Sequence, residues 1–254
     1  MCKIITLSNQ KGGVGKTTTS HALTTGLAKR KYKVLAVDLD PQGNFSLTCG
    51  VDMANVKCTL YDVFKGNANV TESVININNE YDLITGGLVL AAADMEFTQA
   101  GREYMLKEAL EPIKENYDYI IIDTPPTLSV LTTNALTTSN GVIVPMTADI
   151  YSIQGISQLN GLINNVKKYC NPNLQIQGLL LTRYSDRTNI SKTLKNTITE
   201  TAKELNTKVF NSTIREAVAI RETQLLQSNL FEIFNKADVT ADYNLFIDEF
   251  LKGR

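Results

Sequence analysis

The residues with the plainest chemical purpose are Lys11-Gly12-Gly13-Val14-Gly15-Lys16-Thr17-Thr18, which follow directly on the apolar run Ile4-Ile5-Thr6-Leu7. Three glycines in so short a stretch let a backbone curl closely around oxygen atoms without a Cβ in the way. Gly15-Lys16-Thr17 closes the stretch as the general phosphate loop G-x-x-x-x-G-K-[ST] does, although Gln10 stands where that pattern has its first glycine. A strand ending near Ser8 and a helix beginning near Lys16 put the loop at a helix N-terminus. There, unpaired N–H groups and the positive end of the helix dipole face an anion. A loop of this kind holds a nucleoside triphosphate, with Lys16 on the β- and γ-phosphates and the Thr17 hydroxyl on Mg²⁺. Lys11 is unusual: it adds a second basic group just before the glycines and aims it at the phosphates.

Two acidic segments belong with this loop. Asp123 follows the apolar run Tyr119–Ile122, the place where a nucleotidase puts the carboxylate that orients Mg²⁺ through water. Pro125 and Pro126 stiffen the segment behind it. Asp38-Leu39-Asp40-Pro41-Gln42-Gly43-Asn44 forms the other. Carboxylates at i and i+2 leave a strand end pointing the same way, so one can serve the metal shell while the other orients an attacking water.

Elements that could bring these segments together can be read from the apolar pattern. Strands are expected over Lys3–Ser8, Lys33–Asp38, Tyr81–Thr85, Tyr119–Asp123, Gly141–Met146, Ile176–Leu181 and Lys208–Phe210. Helices are expected over Lys16–Lys31, Ala93–Glu115, Ile153–Lys168, Ser191–Leu205 and Ala237–Leu251. This alternation predicts an α/β fold of the P-loop NTPase kind, a mostly parallel twisted sheet with helices on both faces, in one domain spanning 1–254. In such sheets ligands lie at the carboxyl ends of the strands, where all three segments fall.

Composition narrows the setting. The chain has 254 residues, 43% hydrophobic and 20% charged, with a net charge of −1, so no global basic field announces nucleic acid. No apolar run reaches the roughly 18 residues of a membrane span, and Met1 leads straight into the first strand without a signal peptide. The four cysteines (Cys2, Cys49, Cys58, Cys170) form no C-x-x-C pair and read as reduced thiols of a cytoplasmic protein. The single histidine, His21, reads as a packed helical residue.

Taken together, N-Q-K-G-G-V-G-K-T-T-T, V-D-L-D-P-Q-G-N and Y-I-I-I-D-T-P-P resemble the deviant Walker A partition ATPases of the ParA/Soj family within the ParA/MinD superfamily. The resemblance continues through V-I-V-P-M-T-A-D-I-Y-S-I-Q-G-I and L-L-L-T-R-Y-S-D-R-T-N and covers essentially the whole chain. It implies an ATP- and Mg²⁺-dependent homodimer with nucleotide between two facing subunits. Lys11 would cross the interface to the partner's phosphates, and Gly12 would permit the close approach of the two loops. Gly13, Val14 and Gly15 complete the nucleotide loop, and Thr18 would meet the α-phosphate. Asp40 matches the family aspartate that positions the hydrolytic water, supported by Asp38, while Asp123 would hold the metal's water shell.

The resemblance further implies sequence-independent binding of double-stranded DNA, association with the nucleoid, and stimulation by a ParB-type centromere-binding partner. Arg187 matches a family DNA-contacting arginine. A second family arginine falls at Ala219: either Arg221, two places on, substitutes for it, or this contact is lost. From Arg183 to Arg221 eight basic residues, including Lys192, Lys195 and Arg215, face four acidic ones. The phosphate loop lies too near Met1 for a preceding helix-turn-helix, so operator-specific binding is not expected of this chain alone. Two relatives of the same superfamily are the alternatives. A MinD-like membrane-associated regulator would need a basic amphipathic C-terminal helix, whereas Asp238–Leu251 is acidic, which argues for no membrane partner. A metabolic ATP-dependent enzyme would hold its substrate in a pocket that leaves no motif.

Overall fold

The computed structural model describes residues 2–186 and 189–253, without the side chains of Ile153 and Gln154. Among the described residues seven strands form one sheet in the order β3-β4-β2-β5-β1-β6-β7. They are β1 (Lys3–Leu7), β2 (Val34–Asp38), β3 (Val74–Ile77), β4 (Tyr81–Thr85), β5 (Tyr119–Asp123), β6 (Gly141–Thr147) and β7 (Gln175–Thr182). All neighbours run parallel except β3, which pairs antiparallel with β4 at the edge. The register sets the chemistry: Leu7 lies opposite Asp123, and Asp123 opposite Asp38, so the first loop and both acidic segments leave the sheet side by side.

The helices are α1 (Lys16–Lys29), α2 (Asn44–Thr48), α3 (Leu60–Phe64), α4 (Ala93–Glu96), α5 (Met105–Leu110), α6 (Val130–Thr138), α7 (Ile150–Tyr169), α8 (Asn189–Glu204), α9 (Val218–Leu225), α10 (Leu230–Ile233) and α11 (Asp238–Lys252). Strand β5 shows why its sequence is continuously apolar. Ile121 packs with α1 and α11 on one face, among Leu23, Leu27, Tyr243 and Phe246. Ile120 and Ile122 face the opposite layer, with Leu106, Leu110, Leu131 and Ala135. Strands buried on both sides cannot alternate apolar with polar residues. A third cluster joins β6 and β7 to α7 and α8 through Val142, Val144, Leu159, Ile163, Leu179 and Ile198.

The structure corrects the expected elements in several places. Ala93–Glu115 is not one helix: α4 and α5 are separated by Gly101 at φ 83 and by a 3-10 turn at Arg102–Tyr104. α4 ends where Phe97 turns extended, and the left-handed Gly101 re-aims the chain into the 3-10 turn that leads to α5. Lys208–Phe210 is not a full strand. Val209 makes one isolated parallel bridge to Leu179, and Ile214 another to Thr182. Edge strand β3, helix α6 and helix α9 were not anticipated. α6 is rich in threonine, which favours strands by propensity, yet Ser129 caps its start and the Thr138 hydroxyl bonds back to the Asn134 carbonyl.

α11 is held to the body by its apolar face (Val239, Tyr243, Phe246, Ile247, Phe250) and by carboxylates on its polar side. Glu249 accepts hydrogen bonds from the backbone N–H groups of Asn211 and Ser212. Arg215 lies between Asp238 and Asp242, at 2.6 and 2.8 Å.

His21 is 6% exposed on α1, edge-on to the Phe45 ring at 5.8 Å. Burial lowers its pKa to about 4 from 6.5. Between those values the unfolded chain binds the proton and the folded one does not, so this group's contribution to stability is lost as pH falls from about 6.5 to about 4. The full contribution is on the order of 3 kcal/mol. Urea unfolding of wild type and His21→Gln at pH 7 and pH 4 should show a smaller acid-side loss in the variant by that order. Equal losses in the two proteins would contradict the assignment.

Candidate functional site

The sheet delivers its chemistry to a cleft of about 580 Å³ at the carboxyl edge, lined by Gly12, Gly13, Gly15, Lys16, Thr17, Thr18, Asp40, Gln42, Asn44, Leu47, Thr48, Pro126, Arg183 and Gln224. Gly13 and Gly15 take φ of 73 and 80, which bends the loop back on itself, and Val14 is buried beneath it. The loop is tied at both ends. Asn9, buried at the end of β1, accepts from the Lys11 N–H at 3.0 Å and donates to the Pro145 carbonyl at 2.8 Å. On the other side the Thr182 hydroxyl, at the end of β7, donates to the Val14 carbonyl at 2.8 Å.

Lys16 is 7% exposed, and its ammonium lies 3.4 Å from the Lys11 carbonyl, across the inside of the loop. Burial lowers its pKa, against the pull of Asp123 and Asp40. Asp123 has no exposed surface. Its two oxygens accept from the Thr17 hydroxyl at 2.7 Å and the Ser20 hydroxyl at 2.8 Å, which pins the first turn of α1 to the central strand. Burial, reinforced by the nearby Asp38 charge, pushes its pKa up to about 7.

Asp38 and Asp40 have separate tasks. Asp38 is fully buried, and its carboxylate accepts from the Ser46 N–H and hydroxyl at 2.9 and 2.8 Å and from the Asp40 N–H at 3.2 Å. Burial raises its pKa to about 6. Asp38 therefore shapes the loop from beneath, with Ser46 and Asp40 donors on its carboxylate. Asp40 accepts from the Gln42 N–H at 3.0 Å and lines the cleft.

The donor set suits a hard cation: a threonine hydroxyl already against a carboxylate, at the mouth of a loop built for anions. Among the described residues no cluster of three or more His, Cys, Asp or Glu could hold a metal by itself. A divalent ion here would be shared between Thr17, Asp123 and the phosphate oxygens of a ligand.

Lys11 points away from its own cleft. Its ammonium sits 2.6 Å from Asp149 and 3.4 Å from the hydroxyls of Thr147 and Ser152. Partial burial opposes ionisation of Asp149, but Lys11, the Thr147 and Ser152 hydroxyls and the Ser152 N–H together hold its pKa well below the usual range. Asp149 is also the N-cap of α7. The sequence reading missed it, along with Asn9, Ser20, Thr182 and Gln224. The signal for Asp149 was present in Asp149-x-x-Ser152, the spacing of an N-cap and the N–H it accepts.

The expected DNA residues have different surroundings. Arg187 lies outside the described residues. Lys192 and Arg221 are exposed, and Lys195 is half-buried with its ammonium 5.4 Å from the centre of the Tyr184 ring. The Arg215 guanidinium is bound to Asp242 through two nitrogens and to Asp238 through a third. Arg183 lines the cleft, not the face carrying α8.

This geometry defines a phosphate-loop nucleotide site on a parallel α/β sheet. The family model described as an AAA domain matches residues 2–176. The sporulation initiation inhibitor protein Soj of Bacillus subtilis is 42% identical over 224 residues, covering 87% of both chains. The chromosome partitioning protein ParA of Caulobacter vibrioides is 38% identical over 224 residues, 87% of this chain and 83% of that one. A putative plasmid partition protein of Borrelia burgdorferi, solved bound to AMPPNP, superimposes with a TM-score of 0.85 at 29% identity over the full length of both chains. Cobyrinic acid a,c-diamide synthase of Mycobacterium smegmatis, solved with ADP and magnesium, gives 0.86 at 31% identity over 99% of this chain and 95% of that one. The chain belongs to the ParA/Soj family of partition ATPases.

The two partners of the Lys11–Asp149 pair should differ in what they hold. Asp149→Ala removes a helix cap as well as the ion pair and should destabilise the nucleotide-free protein by about 1–2 kcal/mol. Lys11→Ala leaves the cap and removes a partly exposed pair, so it should cost less than about 1 kcal/mol. Urea denaturation checks this ordering, and a Lys11 loss equal to that of Asp149 would refute it.

Proposed function

We propose that this chain is a partition ATPase that dimerises on ATP, binds double-stranded DNA without sequence preference, and is stimulated by a ParB-type partner. One observation carries the reading: Lys11, beside the phosphate loop, is held out of its own cleft by Asp149. A lysine placed there and kept off its own phosphate site is suited to the phosphates of a second copy. A cation supplied in trans completes the charge stabilisation of phosphoryl transfer only when the dimer forms.

In this reading ATP brings the triphosphate and Mg²⁺ neutralises its charge. The backbone N–H groups of Gly12 through Gly15 cradle the phosphates, Lys16 leaves the Lys11 carbonyl for the β/γ oxygens, and Thr18 meets the α-phosphate. Thr17 and Asp123 hold the metal shell. Asp40, on the cleft wall, orients the attacking water. Arg187, Lys192, Lys195 and Arg221 form the DNA face, doubled by the two-fold axis of the dimer.

The identities support this reading over a metabolic one, since the relatives at 42% and 38% are named for sporulation control and chromosome partitioning. The membrane alternative is disfavoured by α11, whose apolar face is already buried against the core. Among the described residues no helix is long and apolar enough to cross a membrane.

Binding to random-sequence duplex DNA should appear with ATP, be absent with ADP or without nucleotide, and fall steeply between low and physiological salt. Asp40→Ala should keep ATP bound, accumulate the dimer, and lose at least about 100-fold in turnover. Lys11→Ala should bind ATP as a monomer. ATP-dependent dimers without DNA binding would overturn the partition reading and leave only the ATPase.

A further inference from the structure

The eight basic residues between Arg183 and Arg221 invite treatment as one nucleic-acid face, but the first stands apart in the fold. Arg183 is exposed and lines the same cleft as the phosphate loop. It directly follows Thr182, whose side chain lies 3.7 Å from where a Cβ on Gly15 would sit and whose hydroxyl holds the Val14 carbonyl. Its backbone is left-handed, at φ 49, an uncommon conformation for a residue with a Cβ. Hydrogen bonds on both sides impose it, from Thr182 to Val14 and from the Tyr184 N–H to the Ile214 carbonyl. Among the described residues no carboxylate pairs with its guanidinium. A strained backbone that brings an unpaired guanidinium to a cleft is the kind of outlier that marks a ligand contact.

Sheet order says which part of the ligand it meets. The metal-side groups lie on the β1–β5–β2 side: Thr17 opens α1, which follows β1, and is bonded to Asp123 at the end of β5, and Asp40 follows β2. Arg183 leaves β7, two strands from β1 in the opposite direction, roughly 10 Å across the sheet. Phosphates held at the loop with their metal toward β5 leave the nucleoside to run toward β7. Gln224, whose amide lies 3.5 Å from the Thr18 hydroxyl, faces the same region from α9. The planar, weakly hydrated guanidinium is the side chain best suited to lie on an aromatic ring.

We propose that Arg183 is a base-binding residue of the nucleotide site, stacking on the heterocycle, and not part of the DNA face. The proposal rests on the nucleotide reading of the cleft. It is tested by calorimetric titration of the full chain and its Arg183 variants with Mg²⁺ and ADP, ATP or inorganic tripolyphosphate. Arg183→Ala should lose about tenfold in affinity for ADP and ATP alike and none for tripolyphosphate. Arg183→Lys should recover little of the loss, because an ammonium has no plane to stack. Arg183→Gly relieves the left-handed backbone and should still show the loss, which separates the contact from strain. Unchanged affinity of the alanine variant for both nucleotides would overturn the proposal, as would an equal loss for tripolyphosphate, which would make Arg183 a phosphate ligand. A wild-type chain that binds neither nucleotide would remove the nucleotide reading itself, and the proposal with it.

Discussion

A carboxylate with no exposed surface, Asp123, joins the phosphate loop to the centre of the sheet. An anion in that position is unfavourable unless donors surround it, and its pKa, pushed up to about 7, records the strain between burial and ionisation. The hydroxyls of Thr17 and Ser20 answer part of that demand and in doing so fix the rotation and height of α1. Since the loop is the lead-in to α1, its shape follows from the same two bonds. The positions of Lys16 at the loop's inner wall and of Asp40 on the facing wall then become consequences of strand register, because β1, β5 and β2 end level with one another.

Flexible composition does not make the loop loose. Gly12, Gly13 and Gly15 give it the conformations it needs, while Asn9 and Thr182 clamp it to β6 and β7 from either end. The Asn9 clamp takes the Lys11 N–H and the Thr182 clamp takes the Val14 carbonyl, so neither uses the N–H groups of Gly12 through Gly15 that an incoming anion would meet. Asp38 acts similarly one layer down. By filling its oxygens with Ser46 and Asp40 donors it holds the turn that presents Asp40, and its place beneath the cleft explains why two carboxylates at i and i+2 do not share one role.

The central strands and the phosphate loop were legible because their signals are local. Continuous apolar runs ending in Asp38 and Asp123, and a glycine pattern closing on Lys16-Thr17, need no tertiary information. What stayed hidden depends on contacts distant in sequence. Asp149 meets Lys11 across 138 residues. Arg215 looked like a free cation until α11 folded back and placed Asp238 and Asp242 around it. The helix expected over Ala93–Glu115 stopped already at the extended Phe97, and the left-handed Gly101 redirects the chain before α5, which apolar spacing on either side does not show. α6 went unseen because its threonines pair with carbonyls one turn back, a compensation that propensity alone does not count.

The three cations near the cleft differ in what they must release before they can act, and this difference orders them. Arg183 has no carboxylate partner among the described residues, so a ligand meets it at little more than the entropy of fixing one side chain. Lys16 holds only a neutral carbonyl at 3.4 Å, which a phosphate oxygen easily outcompetes. Lys11 must leave a carboxylate at 2.6 Å and two hydroxyls. Only a site of higher negative charge can draw it away, and a loop already loaded with a triphosphate on a second copy is such a site. A nucleotide short of one phosphate offers less. Under the partition reading, the ion pair that keeps Lys11 out of its own cleft is thus also what makes assembly depend on the number of phosphates bound.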